Sequence, residues 1–208
     1  MAKYIDLSYT IEDGLMAYPD DDKLKLYQNR FLDKDKYNDT KLETGMHVGT
    51  HIDVASHMMD SNVLISDYLP EKFIGKGCLI DVRGQKHIKM KTEYLSTIEE
   101  DSIVLIYTGF EERFGLDEYF NNHPIVESDF AEFLVKKKIK MIGMDLPSPD
   151  KYPFDVHKIL LENNVLIIEN LKNLGSLLEI NEFEVLALPL KVKAQGALAR
   201  VVARFSQN

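Results

Sequence analysis

Three of the chain's six histidines fall within eleven residues, in the order His47-x3-His51-x-Asp53-x3-His57. Imidazoles and a carboxylate without thiolates form a donor set that suits zinc best, with manganese or iron as alternatives. Each histidine taken singly would more often be a hydrogen-bonded core or loop residue, so the neighbours matter. Two residues apart on a strand, His51 and Asp53 point to the same side about 6.6 Å apart, close enough to reach one ion. Full extension from His47 to His57 would span about 33 Å. The chain must therefore turn if all four converge, and Gly49 and Ala55-Ser56 are the natural places. A His-x3-His pair can also share a helix face, but glycine and the β-branched Val48, Thr50, Ile52 and Val54 disfavour helix here. A catalytic ion would keep a position open for water and lower its pKa to about 7, giving a nucleophile for carbonyl carbons.

Such a cluster needs a scaffold. Short β-rich runs recur at residues 4–11, 78–82, 103–107, 141–144, 165–168, 185–190 and 199–205. Between them, Ser128 is the expected N-cap of a helix with Phe130, Phe133 and Leu134 on one face and Lys136, Lys137 and Lys138 in its last turn. A second, shorter helix is expected from Asp155 to Glu162, stopped at Asn163-Asn164. Residues 147–153 carry Pro147, Pro149 and Pro153, and so form a stiff loop from strand to helix. Many strands and few helices predict an α/β fold, one domain over residues 1–208, with a mixed, barrel-like β-sheet and flanking helices.

Composition narrows the function. A net charge of −9 argues against nucleic acid as a partner, because phosphate backbones require clustered Lys and Arg. The single cysteine, Cys78, permits no internal disulfide or thiolate-rich metal site; beside Leu79 and Ile80 it reads as a buried structural thiol. No apolar run approaches the ~18 residues of a membrane span, and the first residues lack the apolar stretch of a signal peptide. The cytoplasm is the expected compartment.

With these residues in view, the chain resembles the bacterial cyclase-like metal hydrolases that include kynurenine formamidase and isatin hydrolase. Their hallmark, His-x-Gly-Thr-His-x-Asp-x-Pro-x-His, is matched from His47 to His57 except that Ala55 stands where proline is usual. The likeness extends along the chain. Asp6-Leu-Ser-Tyr-Thr-Ile followed by Tyr18-Pro19 is similar to the family's opening strand and substrate-side loop, and Tyr107-Thr108-Gly109 to a central strand end. Gly143-Met-Asp145-Leu-Pro-Ser148-Pro-Asp150 resembles its Gly-x-Asp-x-x-Ser-x-Asp segment, and His157 with Glu169 twelve residues on resembles a second ligand pair. Pro189, Gly196 and Arg200 fall where its closing strands lie. The resemblance implies a swivelling β/β/α fold and two divalent ions, zinc first and manganese second. It implies His47 and His51 on one ion, His157 on the other, Asp53 and Glu169 bridging, His57 as acid/base, and a homodimer or homotetramer.

The implied reaction is hydrolysis of a small-molecule amide, with His57 protonating the leaving nitrogen. The substrate is open among aryl formamides, small amides and cyclic amides: kynurenine formamidases carry a tryptophan where Tyr18 stands, and this chain has none. A tyrosine can still stack on a planar ring. Two other readings stand beside this one, a polyketide-type cyclase or dehydratase, and a non-enzymatic domain in which metals staple a small-molecule-binding fold. His57, surplus to the ligand count, favours chemistry. His87 is expected in a solvated loop, and His123 has no assigned role.

Overall fold

Every residue of the run Ile103-Val-Leu-Ile-Tyr is apolar or aromatic, as expected of a strand covered on both faces. The computed structural model, which describes residues 1–206, shows what covers them. Its strands are β1 (Ala2–Asp6), β2 (Lys25–Arg30), β3 (Asp39–Glu43), β4 (His51–Asp53), β5 (Ile74–Asp81), β6 (His87–Ile88), β7 (Ile103–Tyr107), β8 (Ile125–Val126), β9 (Met141–Met144), β10 (Leu166–Glu169), β11 (Glu184–Pro189) and β12 (Gly196–Ser206).

Seven of these close into a mixed barrel in the order β12-β11-β5-β7-β9-β10-β4 and back to β12. The run β5-β7-β9-β10 is parallel, and every other pairing within the barrel is antiparallel. β12 makes closure possible because it is eleven residues long. While one of its edges carries β11, Gly196 to Leu198 pair with β4 and Val202 to Ser206 pair with β1.

Alternation then sorts side chains into two cores. Ile103, Leu105, Met141, Leu166 and Ile168 point inward with Ile52, Val185, Ala187, Val201 and Ala203. Val104, Ile106, Ile142, Met144 and Ile167 point outward, where the helices Ser128–Lys136 and Asp155–Glu162 cover them with Phe130, Leu134, Val156 and Leu160. Gly143 faces inward where a Cβ would come within 2.8 Å of both Leu105 and Leu171, so the barrel is packed to contact there.

The expected strands are present, with shifted ends. The run from residue 4 to 11 is a strand only to Asp6. Beyond it Ser8 bridges to Leu171 and the Tyr9 amide donates to Thr50 Oγ1, so the chain leaves β12 and crosses over the β4 region. Ser128 is the first helical residue rather than the N-cap; Glu127 holds the cap position without a side-chain bond. His87 lies in β6, exposed and paired to Glu127, rather than in a loop. Cys78 is only partly buried, with its Sγ 3.5 Å from the Thr97 carbonyl. The β2–β3 hairpin stands apart from the barrel. No helix among the described residues is long and apolar enough to cross a membrane.

Candidate active site and metal centre

Strand register decides which side chains meet. In the β4–β10 ladder Ile52 lies opposite Ile168, and both enter the barrel interior. Their neighbours must therefore face outward: His51 opposite Glu169, and Asp53 opposite Ile167. On the third strand of this surface Gly196 lies opposite Asp53. A Cβ at Gly196 would sit 2.8 Å from His47 Cε1 and 3.3 Å from Asp53 Oδ1. Glycine there leaves the space that His47 occupies.

The turns foreseen at Gly49 and Ala55-Ser56 bring the remaining members in. Gly49 has φ of +61°, and its Cβ-free backbone approaches Ile11 and Leu15 closely. Ala55–His57 forms a 3-10 turn that swings His57 back over His47, their rings stacked with centroids 3.9 Å apart. His157 arrives from the first turn of the helix Asp155–Glu162, and its ring centroid lies 6.3 Å from that of His57.

The groups that result are closely spaced and almost dry. His47, His51 and Asp53 offer ligand atoms within 4.8 Å of one another, as do Asp53, His157 and Glu169. His51 Nε2 is 3.3 Å from Glu169 Oε2 and 3.5 Å from Asp53 Oδ1, and His157 Nε2 is 3.4 Å from Glu169 Oε1. Donors around a tetrahedral ion with bonds near 2.0–2.1 Å stand about 3.3 Å apart, so these separations suit atoms sharing an ion. Moreover, His47 Nε2, His51 Nε2 and Asp53 Oδ2 are buried without a hydrogen-bond partner. Buried polar atoms are rarely left so. The residues present fit a metal.

The outer nitrogens are held by a second set of groups. His51 Nδ1 donates to the Gly49 carbonyl at 2.8 Å, and His157 Nδ1 to Asp150 Oδ1 at 2.6 Å. Asp150 also accepts the amide of Val156 at 2.7 Å, so one carboxylate both anchors the helix start and aims the histidine. Sequence reading placed Asp150 in a motif but gave it no task; its signal was a carboxylate seven residues ahead of the candidate ligand His157.

Electrostatics follow from burying carboxylates against imidazoles. Burial by itself would lower the pKa of His51, but Asp53, Glu169 and the Gly49 carbonyl raise it to about 9. For His157 burial is likewise outweighed, by Asp150 and Glu169, and the value rises to about 10. Asp53 is held down by His51, His47 and His57 against a burial effect of opposite sign. The buried carboxylates thus favour positive charge on the groups beside them. His57 differs: burial, its largest influence, lowers its pKa, so it stays neutral at neutral pH.

Tyr18 stands outside this cluster, half exposed and edge-on to Phe120 with ring centroids 5.5 Å apart. Burial raises its hydroxyl pKa, and the charges of Glu169 and Asp150 add to the rise. His87 and His123 take no part in either ligand group. His123 is buried, with Nδ1 on the Pro124 carbonyl.

Comparison with known proteins accords with this geometry. Residues 5–151 match the Cyclase family. The chain belongs to that family. Over its length it is 33% identical to an uncharacterized protein of Methanocaldococcus jannaschii, covering 90% of this chain and 91% of the relative. It is 28% identical to kynurenine formamidase of Bacillus cereus, covering 98% of each. Among solved structures, this Cyclase-family chain shares its fold with isatin hydrolase A from Labrenzia aggregata, with a TM-score of 0.86 at 21% identity, over 99% and 94% of the two chains. Isatin hydrolase A from Ralstonia solanacearum is similar at a TM-score of 0.84 and 20% identity, over 99% and 92%.

Proposed function

We propose that this chain is a metal-dependent hydrolase of carbon–nitrogen amide bonds in small molecules, with aryl formamides and cyclic amides as its substrate class. The observation that carries the reading is one shared carboxylate. Asp53 belongs to both ligand groups, while Glu169 turns one oxygen to His51 and the other to His157. That arrangement supports two neighbouring divalent ions, zinc or manganese, held by His47, His51 and Asp53 on one side and by Asp53, His157 and Glu169 on the other. Bound there, such ions supply Lewis-acid polarisation of a carbonyl and activation of water at neutral pH.

The chain's own residues do the rest. His57 lies between His47 and His157 without joining either ligand group, and it is neutral when the substrate arrives. Its imidazole accepts a proton as water attacks and returns it to the departing nitrogen, the work of a positioned acid/base. Asp150 and the Gly49 carbonyl keep the ligand histidines aimed. Tyr18, with Phe120 against its edge, offers an aromatic wall for a planar substrate. The names of the similar proteins, a formamidase and isatin hydrolases, support the same bond type.

The test pairs elemental analysis of the purified protein with aryl formamide hydrolysis before and after chelation. About two ions per chain and turnover that is lost on chelation and restored by metal support the proposal. Absence of bound metal after reconstitution would remove it.

A further inference from the structure

Directly after Glu169, Asn170 adopts a left-handed backbone, φ +55°, and is 6% exposed. All of its polar atoms are used. Its amide N–H donates to the Leu146 carbonyl at 2.9 Å, and its carbonyl accepts the Thr50 hydroxyl at 2.5 Å. Its side-chain Nδ2 donates to the Gly49 carbonyl at 3.1 Å, and its Oδ1 accepts the hydroxyl of Tyr119 at 2.9 Å. Gly49 and Thr50 immediately precede His51, and the Gly49 carbonyl is the same atom that takes His51 Nδ1.

We infer that Asn170 is the positioning residue that fastens the His47–His51 turn to the strand bearing Glu169, and so sets the direction of the metal-facing nitrogen of His51. The inference rests on the metal-ligand reading above. Three features make the position specific. First, a carbonyl can only accept, so the Gly49 oxygen dictates that the amide's NH2 faces it. Second, Tyr119 is fully buried among Phe110, Phe114 and Phe120, and its hydroxyl secures the amide from the other side. Third, an aspartate here could accept from Tyr119 but not donate to Gly49, and would set a second carboxylate beside Glu169. The cross-link spans 121 residues of sequence and couples two ligand-bearing elements that are otherwise joined through a three-pair ladder.

The experiment measures zinc affinity by competition with a chromophoric chelator, together with the visible spectrum of the Co(II)-loaded protein. It compares wild type, Asn170→Gly, Asn170→Asp and Tyr119→Phe. Asn170→Gly keeps the left-handed backbone and removes only the amide, so its zinc affinity should fall at least about 10-fold and its Co(II) bands should shift. Asn170→Asp should lose as much, and Tyr119→Phe less. A merely structural asparagine would lower the melting temperature and leave the spectrum unmoved. Wild-type affinity and spectrum in a folded Asn170→Gly protein overturn the inference; if that variant does not fold, the same result in Tyr119→Phe does so. A wild-type protein that takes up no zinc or cobalt would overturn the metal-ligand reading itself, a failure visible before any variant is compared.

Discussion

Glu169 lies directly across the antiparallel ladder from His51, and the two side chains approach to 3.3 Å on the outer face of the barrel. The second oxygen of the same carboxylate reaches His157 on a helix. One strand register thus joins the two groups of candidate ligands.

Removing either end of that junction should separate the groups. His157→Ala should leave His47, His51 and Asp53 able to hold an ion and lower metal content from about two to about one per chain. Elemental analysis after exhaustive dialysis checks this, and unchanged stoichiometry would show that His157 holds no ion.

His57→Gln should keep the metal content of the wild type, because His57 joins neither ligand group. Turnover of an aryl formamide should nevertheless fall about 10²–10⁴-fold, the usual contribution of a positioned acid/base. Full turnover with metal bound would assign the proton transfer to another group.

Gly196→Ala tests the space given to His47. The new Cβ would meet His47 Cε1 and the Ile52 carbonyl, both at 2.8 Å, and backbone on a closed barrel has little room to retreat. A stability loss of about 1–3 kcal/mol is expected from such overpacking. Thermal melts would read it, and metal affinity should fall with it as His47 is displaced. A variant that melts and binds metal as wild type would show that the turn relaxes freely.

Cys78 should be a poor nucleophile despite lining a surface cleft with Lys76, Thr97 and Glu99. Burial raises its thiol pKa to about 11, Glu99 adds to the rise, and Lys76 opposes it. The thiol is therefore the dominant form at pH 8, with about one thiolate in a thousand. Reaction with a disulfide reagent should be slow at pH 8 and accelerate about tenfold per pH unit up to about pH 10. Rapid modification at pH 7 would contradict this.

Much of the site could be read along the chain, because its signals are local. The identities of His47, His51, Asp53 and His57 lie within eleven residues, and glycine with β-branched neighbours already disfavoured a helix. The barrel was legible as runs of apolar residues, although strands covered on both faces show no alternation from which to assign an inner and an outer side. The β2–β3 hairpin escaped notice for the opposite reason. Its residues, from Lys25 to Arg30 and from Asp39 to Glu43, are mostly exposed and polar on both faces, so no buried face marks it as strand.

The sequence by itself determined the donor chemistry, the turns at Gly49 and Ala55-Ser56, and the strand that delivers Glu169. Only the tertiary structure decided that Glu169 faces His51, that Gly196 makes room for His47, and that the Asn170 amide reaches the Gly49 carbonyl. Each of these is a pairing across a hundred or more residues. Its geometry is set by the register in which the barrel closes, and that register follows from packing two cores at once rather than from any local run of residues.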